Sequence, residues 1–175
     1  MPLDIKPHAY DPATAPELFE GVLPRRIVAL IIDVILIGVP VALAYVFTFI
    51  FTIVTLGLGA VLFWLLPPAT AIWALVYFGL TLGSPASATL GMRLMDLEMR
   101  TWYGAPAYFV LGAVHAIFYW LSVSFFTPLI LLVAFFNKRG RLLHDMLLGT
   151  IVVNNAARAA SLRATAYAGT SFNGL

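Results

Sequence analysis

Six side chains carry most of the chemistry this sequence could hold: Arg26, Asp33, Arg93, His115, His144 and Asp145. Asp33 is the most informative, because it interrupts an apolar run from Ile27 to about Phe51. A carboxylate deep in a bilayer costs about 2.5–3.5 kcal/mol on insertion scales, so it usually faces a partner or a water-filled cavity. Arg26 lies seven residues earlier, two helical turns, which returns to the same face within about 20°. The pair reads either as a polar staple between helices or as a site for a proton or cation. Asp145 sits among Leu142, Leu143, Met146, Leu147 and Leu148 and needs a donor, which Arg26 or Arg93 could supply. His144 precedes it in the chain. His115 stands alone in an apolar tract, where a histidine is more often a hydrogen-bonded packing residue than a ligand.

Other chemistries find no support in the spacing. No local His–His or His–Glu pair suggests a metal site, and no nucleophile has a base at a workable separation. Gly83-Ser84-Pro85 and Gly91 do not match a phosphate-cradling loop. Cysteine is absent, which excludes disulfides and thiolate chemistry. No catalytic, cofactor-binding or metal-binding residue is therefore expected, and the chain does not read as an enzyme. A net charge of +2 is too small to indicate a nucleic-acid partner.

The elements that must position these groups are apolar. Of 175 residues, 62% are hydrophobic and 10% charged, against about 45–50% and about 25% in soluble domains. No Asp, Glu, Lys or Arg occurs from Val34 to Met92, or from Thr101 to Asn137. About 20 apolar residues suffice to span a bilayer core of about 30 Å. Lipid is the expected partner of most of this surface.

Residues 1–20, with four prolines, five charged side chains and no basic-then-apolar order, read as a cytosolic tail rather than a signal peptide. Helix one is expected to begin near Pro24. The tract Ile27–Leu82 is 56 residues, comfortable for two spans. Its turn lies at Gly57-Leu58-Gly59 or at Pro67-Pro68; the favoured position is Thr55–Ala60, which leaves the prolines as a kink in helix two. In the connection Gly83–Gly104, Leu97-Glu98-Met99-Arg100 alternates like a half-exposed strand, with an irregular loop as the competing reading. Thr150–Val153 is β-branched and could pair with it. The tract Pro106–Phe136 would be about 46 Å long as one helix, with Ser122, Ser124 and Thr127-Pro128 as breaking points. Residues 154–175 read as a partly disordered tail.

Basic clusters set the topology. Lys6, Arg25 and Arg26 precede helix one, Arg93 and Arg100 follow helix two, and Lys138, Arg139 and Arg141 follow the last tract. Cytoplasmic flanks are enriched in Lys and Arg, so a cytosolic N-terminus and a bent or re-entrant hairpin over 106–136 are favoured over a single crossing.

Three segments together resemble the RDD family of membrane proteins, named for an arginine and two aspartates. Phe19–Asp33 supplies Arg26, Ala29 and Asp33 at the family's spacing. Ala88–Leu97 is similar to its threonine–glycine–basic turn, with Met92 in place of the first basic residue and Asp96 in place of a glycine. Lys138–Asp145 with Gly149–Val153 matches the third element, Asp145 being the second aspartate. The resemblance implies a multi-pass protein of the bacterial cytoplasmic (inner) membrane, with ion transport, including sodium–proton exchange, as a role suggested for some members.

The expected architecture is an all-α membrane bundle of about three to four transmembrane or re-entrant helices over residues 21–153, with a small β element at the cytoplasmic surface. The expected function is transport of an ion or small solute, cation/proton exchange being the most concrete form, through Arg26, Asp33 and Asp145, with Asp33 as carrier. Arg93, His144 and His115 are secondary candidates. The alternative is a structural or interaction module in which the same cluster fixes helix packing. The lipid bilayer is the expected partner, and a homo-oligomer would let so short a chain enclose a path.

Overall fold

The structure, a computed structural model, describes residues 10–126 and 141–172. A short 3-10 turn at Pro16–Leu18 leads into α1, Val22–Val54. Its 33 residues span about 50 Å at 1.5 Å per residue, more than a bilayer core needs. Pro24 lies in the first turn, where its missing N–H would have had no helical partner. Pro40 lies inside the helix. Only Val22, Ala29, Asp33 and Thr48 of α1 are buried, while Phe47, Val54 and many other large apolar side chains face outward. The core helix of a soluble protein would hide them. This helix is long and apolar enough to cross a membrane.

The chain turns at Leu56 and Gly57, both with positive φ, within the favoured 55–60 window. A 3-10 segment, Leu58–Trp64, then meets α2, Leu66–Leu82, at a bend of 43°. Pro67 and Pro68 open α2, so the prolines make the kink and not the turn. Together the bent pair is long and apolar enough for either a broken span or a re-entrant loop.

After α2 come a five-residue helix, α3 (Leu90–Leu94), and β1 (Leu97–Thr101). Helix α4, Phe109–Phe126, packs chiefly on α2. Past the undescribed stretch lie α5 (Leu143–Leu148) and β2 (Thr150–Asn154). The strands pair antiparallel, from Leu97 opposite Asn154 to Thr101 opposite Thr150, so both strand readings hold. Leu97, Met99 and Val152 form one core with Ala29, Leu82 and Met92. The expected break at Thr127-Pro128 and the cations Lys138 and Arg139 lie outside the described residues.

The C-terminal segment departs from its reading as a partly disordered tail: Ala156–Phe172 is a helix, α6. Alanine is the strongest helix former. Asn155 accepts from the Arg158 amide at 2.9 Å, satisfying one of the donors a helix start leaves open, and Arg163 meets Glu17 at 3.0 Å.

Gly91 fixes how α3 lies on α1. A Cβ there would overlap the Ala29 carbonyl oxygen and crowd Asp33. Gly91→Ala is expected to destabilise the protein by about 1–3 kcal/mol through overpacking, read as a lower thermal midpoint in detergent; an unchanged midpoint would show that α3 can shift freely.

Candidate functional site

Asp33 points from α1 at neutral donors. Tyr77 Oη donates to Oδ1 at 2.6 Å, the Gly91 amide to the same oxygen at 2.8 Å, and Thr89 Oγ1 to Oδ2 at 2.6 Å. Thr89 also caps α3, accepting from the Met92 amide at 3.1 Å. One carboxylate thus joins α1, α2 and α3, with each oxygen hydrogen-bonded and only 4% of the residue exposed. The expectation that Arg26 might meet Asp33 is not what the structure places there.

Arg26 pairs with Asp145, Nη1 to Oδ2 at 2.6 Å. The Leu142 amide donates to the same Oδ2 at 3.0 Å. This is half of a capping box, a carboxylate in the first turn of α5 reaching back to the residue before it. Arg141 braces the other side: its Nη2 donates to the Asp145 carbonyl at 3.0 Å and its Nε to the Thr150 carbonyl at 3.1 Å. Its guanidinium also stacks over Trp102 at 4.3 Å. Arg93 does not take part, donating instead to the Ala88 carbonyl and to Ser84 Oγ.

The second oxygen of Asp145 faces the two histidines. His144 Nε2 lies 3.5 Å from Oδ1 and His115 Nε2 lies 3.8 Å from it. Thr150 Oγ1 approaches it at 3.5 Å. The imidazoles meet edge to face, 4.8 Å between centroids, and Tyr119 closes on His144 at 5.5 Å. Among the described residues, both nitrogens of His144 and Nδ1 of His115 are buried without a hydrogen-bond partner, an arrangement that costs energy and calls for an explanation. These rings also border a cavity of about 90 Å³, walled mainly by apolar side chains and touched by Arg26, Asp33 and Thr89.

The cluster foreseen as Arg26, Asp33 and Asp145 is therefore two clusters on one cavity. Arg26, Asp145, His144 and His115 converge; Asp33 stands apart with Tyr77, Thr89 and Gly91. His115 stands alone in its tract but not in the fold, where it lies against His144, 29 positions later (144 − 115).

The electrostatics follow from burial. Desolvation pushes the His144 imidazole down to about 3, against the opposing pull of Asp145. For Asp145, desolvation works to raise the carboxyl, but the Arg26 guanidinium and the imidazoles outweigh it and hold it below the usual carboxylate range.

The family model described as RDD family matches residues 21–149. The chain belongs to the RDD family. A search of curated proteins and a search of solved structures each returned no match. In this RDD chain the family's arginine is Arg26 and its second aspartate is Asp145, the ion pair just described. The departures have visible consequences. Asp96, where a glycine is usual, has φ +54°, a conformation that glycine adopts freely and Asp tolerates. It receives an amide from Asn155 at 3.2 Å. Met92 is buried beside the cavity, a place where the usual cation would need a partner.

Sequence reasoning missed Tyr77 and Tyr119 as polar members of apolar helices, read Thr89 only within a motif, and read Arg141 as a surface cation of the basic cluster.

Removing one partner of a buried ion pair costs about 3–5 kcal/mol, because the other charge is left alone. Arg26→Gln is expected to lose that much stability in detergent unfolding, and the double variant Arg26→Leu/Asp145→Leu less than the sum of the two single changes. Additivity would deny the coupling. Acid should also weaken the fold. Unfolded chain takes up a proton at His144 near pH 6.5, folded chain only near pH 3, so the unfolded state binds more protons in between and stability falls as pH drops through that window. The thermal midpoint should fall from pH 7.5 to 5.5, and fall less in His144→Asn.

Proposed function

We propose that this RDD protein is a multi-pass protein of the bacterial cytoplasmic membrane, with its N-terminus in the cytosol, that exchanges a cation for protons at the Arg26–Asp145–His144–His115 centre. The observation that carries this reading is a pair of buried imidazoles whose Nε2 atoms face one oxygen of a buried carboxylate beside a cavity, with both ring nitrogens of His144 lacking a hydrogen-bond partner among the described residues. A cation needs lone pairs, and these are the lone pairs on offer. A proton and a metal cation compete for the same nitrogen lone pair, since a ligating imidazole must be neutral. Such competition couples the two fluxes without any further device.

The carrier is then Asp145 with its histidines, and Asp33 is a packing clasp. Three donors already satisfy Asp33, and a carboxylate so held has little reason to release or accept an ion during turnover. That saturation favours the second reading, a non-transporting module in which both clusters fix helix packing. The basic residues Arg25, Arg26, Arg100 and Arg141 support a common cytoplasmic end, in line with the positive-inside tendency.

The test is cation-driven proton flux in liposomes containing the purified protein. Wild type should show flux, and His115→Gln, which leaves the Arg26–Asp145 pair in place, should lose most of it while keeping its fold. Asp33→Asn should instead lower the yield of folded protein. Flux indistinguishable from protein-free liposomes would leave the packing module as the reading.

A further inference from the structure

Two imidazoles and one carboxylate oxygen converge from separate elements, α4 and α5, and their ligand atoms all lie within 4.8 Å of one another. We propose that His115, His144 and Asp145 bind a divalent transition metal ion of the zinc class. This names the ion for the centre described under the proposed function and rests on that reading, while binding can be measured without any flux.

The donor set selects the ion. Calcium takes six to eight oxygen ligands and magnesium a near-octahedral oxygen shell. Two nitrogens and one oxygen suit zinc, cobalt, nickel or copper instead. Ligand atoms about 2.0–2.1 Å from a tetrahedral zinc sit about 3.3 Å apart. His144 Nε2 and His115 Nε2 stand 3.5 and 3.8 Å from Asp145 Oδ1, so the two contacts to the carboxylate need to close by only a few tenths of an ångström. His144 is fully buried and both its ring nitrogens lack a partner among the described residues, so no hydrogen bond described there opposes the move.

The surroundings suit a ligand set as well. Arg26 and the Leu142 amide hold Asp145 Oδ2, which leaves Oδ1 turned to the imidazoles, the orienting role that outer partners play at metal sites. Three protein ligands leave a fourth position, as in zinc sites that exchange or react and unlike closed structural ones. His115 and His144 both border the cavity, which gives that position room for water. Arg26 already neutralises Asp145, so a bound dication brings uncompensated charge. Affinity is accordingly moderate and the ion exchangeable, as cargo requires.

The experiment is cobalt titration of the chelator-treated full-length protein in detergent, read by visible absorption. The chain has no cysteine, so thiolate bands cannot intrude. One cobalt per chain, displaced by zinc and not by sodium or magnesium, is the expected result, with at least tenfold weaker binding in His115→Gln and in His144→Gln. Copper-loaded wild type supplies a readout that needs no variant: pulsed electron paramagnetic resonance should show two histidine imidazoles. No cobalt absorption at millimolar metal, or binding unchanged in both histidine variants, overturns the site. Sodium-driven flux without cobalt binding overturns the metal assignment and leaves exchange standing; cobalt binding without flux does the reverse.

Discussion

The contact between Arg26 and Asp145 is the constraint from which the rest of this molecule can be read. A guanidinium at the start of the first helix and a carboxylate 119 residues later (145 − 26) meet at 2.6 Å, with the carboxylate fully buried. Neither ion would be stable there alone. Meeting each other fixes the entry of α1 against α5, and through the Leu142 amide it fixes the first turn of α5. Because one oxygen is committed, the other is aimed. That aim is what brings a carboxylate oxygen to the two imidazoles.

Asp33 solves the same problem by other means. It uses no cation, only a phenol, a hydroxyl and a backbone amide from α2 and α3. The three bonds spread one charge over three elements, and the glycine at position 91 allows the amide to come close enough. The two buried aspartates are therefore held by different means, one by neutral donors and the other by a cation.

The sequence made the membrane-length helix, the turn near Gly57, the proline kink and both strands legible, because each rests on local pattern: charge-free length, glycine, proline and alternation. The helical C-terminus was less so, since an Ala, Ser and Thr composition resembles a tail until Asn155 and Glu17 are seen to anchor it. At the site, the donor for Asp145 was legible as one of two arginines. The partner of Asp33 was not. A seven-residue spacing says that Arg26 and Asp33 share a face, and nothing about which nearer group each prefers. The histidine pair was invisible for a related reason: no local spacing records a contact made through a 29-residue excursion.

That excursion has a geometric consequence. Thr101 and Thr150 are register partners in one small sheet, and main-chain hydrogen bonds cannot reach through a lipid layer. The ladder acts as a stitch that holds residues 101 and 150 side by side, so the long segment between them is a loop tied at its base by one small sheet.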